Sequence, residues 1–79
     1  MKNETNLKDS PKEIFNLLVR LLMSLEVGET VIKAVIILLP EHQQRYKLME
    51  WISEQAETRE PTGGEILEQA MIIQEETEK

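Results

Sequence analysis

Val31-Ile32-Lys33-Ala34-Val35-Ile36-Ile37-Leu38-Leu39, closed by Pro40, is the stretch that decides the fold. Lys33 is its lone polar residue, and a segment apolar nearly all round needs cover on nearly all sides. Its β-branched residues, Val31, Ile32, Val35, Ile36 and Ile37, also suit a buried strand. A lone strand, however, leaves its backbone N–H and C=O groups without partners, and no other stretch offers a second strand. The spacing therefore predicts a helix over about residues 30–39, with Thr30 as its cap and Pro40 ending it or starting the next.

Upstream, a helix over about residues 11–27 is marked by Ser10 as a cap, Pro11 at the first helical position and Glu13 three residues after Ser10. Ile14, Leu17, Leu18, Leu21, Leu22 and Leu25 recur at i, i+3, i+4, i+7, i+8 and i+11, a helical stripe that Phe15, Val19 and Met23 widen. Gly28 stands where a glycine just past a helix end belongs. A rival pattern competes with this division. Ile14, Leu18, Leu21, Leu25, Ile32, Val35 and Leu39 keep one phase of alternating four- and three-residue steps, with Gly28 in the skipped position. One long helix from Pro11 to Leu39 would explain that, at about 1 kcal/mol for an interior glycine. The Gly28 stop signal and ordinary helix lengths favour two helices.

Downstream, a third helix is expected over about residues 40–57. Its stripe is Leu48, Met49, Ile52 and Ala56, with Arg45 over the first turn. The stem of Arg45 would run along that stripe. Tyr46 and Trp51 flank the stripe, and Gln43, Lys47, Glu50, Glu54 and Glu57 face outward. Thr58 to Gly64 reads as a loop, and Thr62-x-x-Glu65 as a capping box. The box opens a last helix over about residues 63–75 that carries Ile66, Leu67, Ala70, Met71 and Ile73 and frays after Gln74. The fold expected is all-α, a compact bundle of three to four short antiparallel helices. Residues 1–9 read as a flexible N-terminal arm, and 10–79 as a single helical domain.

A chain of 79 residues buries only about 60% of its unfolded surface, so its core is marginal. Without cysteine it has neither a disulfide nor a thiolate-held zinc to staple it. The polar start lacks a signal-peptide core, and no apolar run approaches the ~20 residues that span a bilayer. The reading is a cytoplasmic protein off the membrane. Residues 1–39 carry five basic and five acidic side chains, whereas residues 40–79 carry four and ten, so the whole net charge of −6 lies in the second half. Such a surface repels phosphate and disfavours nucleic acid.

No catalytic, cofactor-binding or metal-ligating constellation stands out. The carboxylate pairs Glu50/Glu54, Glu54/Glu57 and Glu65/Glu68 fall on polar faces, without the burial that splits catalytic pKa values. The single His42 has no Glu three residues before it, so the Glu-x-x-His pairing of metal-binding bundles is missing. Gly63-Gly64 lacks the lysine of a phosphate-binding loop. The strongest signal is the apolar excess, which four short helices can hardly cover. It points to a non-enzymatic interaction module that pairs with itself, a dimer foremost, or docks a protein partner through Ile32, Ile36, Leu39 and Trp51. Two other readings stay open: a helix-turn-helix-like DNA-binding regulator using Gln43, Gln44, Arg45 and Lys47, and an acidic, antitoxin-like inhibitor of a basic partner.

Overall fold

The computed structural model describes residues 11–77. Four helices follow one another: α1 (Pro11–Ser24), α2 (Glu29–Leu38), α3 (His42–Ala56) and α4 (Gly63–Thr77). No strand occurs among the described residues, so Val31 to Leu38 is helical and the molecule is an all-α bundle. Ser10, expected as the first cap, and the arm of residues 1–9 lie outside the described residues.

The chain between Pro11 and Leu39 is broken into two helices, and the break has a physical cause. The Leu25 N–H donates to Leu21 O and Leu22 O, the Glu26 N–H donates to Met23 O, and Glu26 turns left-handed at φ 60°. Gly28 then takes φ 97° and ψ 154°, which is close to forbidden for a residue with a Cβ. Two expectations are corrected by this geometry. The first helix stops at Ser24 rather than near residue 27, because Glu26 supplies the left-handed turn that Gly28 was expected to supply. Gly28, not Thr30, is the N-cap of α2, and Thr30 falls inside the first turn.

Pro40 cannot continue α2, and Leu39 ends it with its N–H donating to Val35 O at 2.9 Å. Glu41 is the N-cap of α3, so that helix starts at His42 rather than Pro40. The Glu41 N–H donates to Gln44 Oε1 at 3.0 Å within a capping box. The box expected at α4 forms as read. The Thr62 N–H donates to Glu65 Oε1 at 2.9 Å, and the Glu65 N–H to Thr62 Oγ1 at 3.2 Å. Helix α4 does not fray after Gln74. It continues to Thr77, whose hydroxyl accepts from Gln44 Nε2 at 2.6 Å and donates to Ile73 O at 2.8 Å.

The core draws on every helix: Leu18 and Leu22, then Val35 and Leu39, Leu48 and Ile52, and finally Ile66, Ala70 and Ile73. Helix α1 packs on α3, α3 on α4 and α4 on α2. At the α2–α4 approach, a Cβ on Gly63 would stand 3.2 Å from Val31 Cγ2, so the missing side chain allows the two helices to close. Helix α1 touches α2 more thinly, and that seam is where the bundle opens.

Candidate interaction surface

The thin seam between α1 and α2 forms an apolar cleft. One part, about 480 Å³, is lined by Phe15, Val19, Ile32, Ile36 and Ile37, with Glu29 and Lys33 on the rim. A second hollow of about 490 Å³ adjoins it, shares Val19, Glu29 and Ile32, and extends to Met23, Glu26 and Gly28. The floor is held by the core, since Ile32 and Ile36 each turn one edge inward against it. Other side chains stand proud of the surface: Ile37 is 77% exposed, Met23 62% and Phe15 37%. On the rim Lys33 offsets Glu29, its Nζ 3.5 Å from Glu29 Oε2 in an i,i+4 pair, and Glu26 adds one further negative charge beside the second hollow.

Arg45 braces one end of the cleft from below. Its Nε donates to Leu39 O at 2.6 Å and its Nη2 to Ile36 O at 3.4 Å, while the guanidinium lies 5.3 Å from the centre of the Phe15 ring. The last carbonyls of a helix have no intrahelical donor and carry its negative end, so a cation there is doubly favourable. Partial burial pulls the Arg45 pKa down. Arg45 thus joins α3, the end of α2 and the Phe15 side of α1.

The four residues singled out from sequence do not form one surface. Ile32 and Ile36 line the cleft; Leu39 is wholly buried in the core; Trp51 is half-buried on α3 and is not part of the cleft lining. Phe15, Val19, Met23 and Ile37 belong to the cleft and were not singled out. A signal for the first three existed. They recur every four residues along one edge of the α1 stripe, which is the edge that α2 leaves open.

The residues of the DNA-reading alternative are divided in the same way. Gln44 is buried at 5% exposure and bonded to Thr77, and Arg45 is bonded to α2, whereas Gln43 and Lys47 remain exposed. Glu50 and Glu54 are exposed on α3, and Glu57, expected in that helix, is exposed as its C-cap just past Ala56. Glu65 is gripped by Arg59, whose Nη1 and Nη2 lie 3.2 and 2.7 Å from its two carboxylate oxygens. That grip, with the Thr62 N–H, holds the Glu65 carboxyl down at about 2. His42 is half-buried at the first turn of α3. Among the described residues no group of three His, Asp or Glu side chains is placed to hold a metal ion, and no helix is long and apolar enough to cross a membrane. No protein-family model, no curated protein and no solved structure matches this chain.

Proposed function

We propose that this chain is a small protein–protein interaction module whose docking face is the apolar cleft between α1 and α2. The observation that carries the reading is that cleft, where Ile37 and Met23, the two most exposed large apolar side chains among the described residues, stand in water beside Phe15; Leu17, Met71 and Ile72 are also exposed but lie outside its lining. A folded bundle that keeps large side chains exposed around an open hollow forgoes stability there, and recognition is the ordinary use of such a surface. The Glu65 carboxyl is pushed down by Arg59 and accepts from the Thr62 N–H at the start of α4, so it is engaged in a salt bridge and a helix cap. The reading includes a cytoplasmic setting, where a chain without cysteine loses nothing by lacking disulfides.

The experiment is an amide NMR titration of the full chain with each of three probes: the apolar dye anilinonaphthalene sulfonate, a mixed-sequence DNA duplex, and polylysine. The expected result is saturable dye binding with shifts confined to Phe15, Val19, Ile32, Ile36 and Ile37. Shifts on α3 with DNA, centred on Gln43 and Lys47, would replace this reading with the DNA-binding one. Tight polylysine binding with no dye response in the cleft would replace it with the acidic-inhibitor one.

A further inference from the structure

We propose that the occupant of the cleft is the same face of a second copy of this chain, in a two-fold dimer that seats each Ile37 in the hollow of the other copy. The inference rests on the docking reading above and names its partner.

Charge argues for a second copy. Among residues 11–39 three cations, Lys12, Arg20 and Lys33, balance three carboxylates, Glu13, Glu26 and Glu29. Residues 40–77 hold nine carboxylates against three cations, which is the full −6. Two copies that met through α3 or α4 would bring like charges together, and two that meet through α1 and α2 keep them on the outer sides. A strongly basic or acidic partner gains little at this rim, because Lys33 offsets Glu29 and Glu26 leaves a net charge of only −1. A basic partner would be drawn to the other half of the molecule. A second copy meets this rim with one net negative charge on each side, a small repulsion between exposed groups compared with a contact through α3 or α4.

Shape argues the same way. A two-fold interface uses one patch twice, so the patch must carry both a projection and a recess to receive it. This one does: Ile37, 77% exposed, rises from the edge of the shallow hollow that it lines together with Phe15, Val19, Ile32 and Ile36. The size of the face sets the strength. Helices of 14 and 10 residues span roughly 21 and 15 Å, so the face is small by the standard of specific interfaces. Because the core is already closed within one copy, the dimer is one that comes apart on dilution, leaving a folded monomer.

The test is the molar mass of the full chain by sedimentation equilibrium across a dilution series, in low and in high salt. The expected result is a monomer–dimer equilibrium that holds or strengthens in high salt. Ile37→Glu and Ile37→Ala should both weaken it, the first at least tenfold, with unchanged helical circular dichroism. Met71→Glu, on the exposed side of α4, should leave it alone. A monomer at every concentration, a dimer indifferent to both Ile37 variants, or one dispersed by salt would overturn the proposal. The dye titration keeps the two readings apart. A strict monomer whose cleft still takes the dye removes the second copy and leaves the docking reading, whereas a cleft that takes no dye removes both.

Discussion

Arg45 does at a distance what a capping residue ordinarily does within its own helix. Pro40 has no N–H to give Ile36 O, the next carbonyl after the one that Leu39 N–H satisfies, and Arg45, one turn into α3, supplies donors to Ile36 O and Leu39 O instead. Arg45→Ala is expected to destabilise the fold by about 1–3 kcal/mol, since it strips bonds to a charged group and its contact with Phe15. Arg45→Lys should recover little, because a single ammonium cannot reproduce the planar fork, and Arg45→Met should recover only the packing. Chemical denaturation of the three variants checks this; full rescue by lysine would mean that charge alone matters. Glu65 offers a test by pH. Its carboxyl lies near 2 in the folded protein against an ordinary 4.5, so the charged form is the one the fold favours. Its contribution is present above 4.5 and lost as pH falls toward 2. Glu65→Gln can still accept from the Thr62 N–H. Both partners are exposed and screened by water, so the variant should be only slightly less stable than the parent at neutral pH, and the two should converge in acid. A gap independent of pH would assign the effect to helix capping rather than to the Arg59 pair.

At the scale of the elements, the joint between α1 and α2 is the feature on which the fold depends. Gly28 holds φ 97° and ψ 154°, a region essentially reserved for glycine, although a Cβ there would meet no atom within 4 Å. Gly28→Ala should thus cost about 1–3 kcal/mol through backbone strain alone. Gly64 is its counterpart. It lies inside α4 with only Thr62 Oγ1 at 4.0 Å, so Gly64→Ala should stabilise by about 0.5–1 kcal/mol. Melting temperatures of the two variants should move in opposite directions; if Gly28→Ala were neutral, the joint would have to re-form as continuous helix. The same joint marks how far the sequence could be read. Four helices and the Thr62–Glu65 box follow from local spacing and local chemistry, so they were legible. Boundaries set by long-range bonds were not: α4 outlasts Gln74 because of Gln44, thirty-three residues from Thr77. The cleft was half legible for a similar reason. Ile32 and Ile36 came from the apolar excess of α2, but Ile37 on that helix and Leu39 at its C-cap, two positions on, end up at 77% and 0% exposure. Which edge of an almost wholly apolar helix faces water is decided by the neighbours, and periodicity is silent where nearly every position is apolar.

At the scale of the whole molecule, the chain is two chemically different halves folded onto one core. The α1–α2 half has balanced charges and exposes Phe15, Leu17, Met23 and Ile37 among polar residues, and the α3–α4 half holds the net charge. The arrangement has a thermodynamic consequence that is separate from binding. Nine carboxylates confined to two packed helices and their links repel one another more in the folded state than in the extended chain. The attractive pairs that oppose this, Arg59–Glu65 and Lys33–Glu29, have exposed side chains and so contribute little. Repulsion should therefore dominate the response to salt. Added sodium chloride, by shortening the screening length from ~30 Å at 0.01 M to ~8 Å at 0.15 M, is expected to raise the melting temperature. The measurement belongs at high dilution, where any dimer has come apart and mass action contributes nothing. Charge reversal sharpens it. Glu54→Lys, on the exposed face of α3, should raise the melting temperature in low salt and shrink the salt response. A melting temperature that falls with salt would transfer the electrostatic weight to the two ion pairs, and the acidic half would then be a stabilising network rather than a strain that the core withstands.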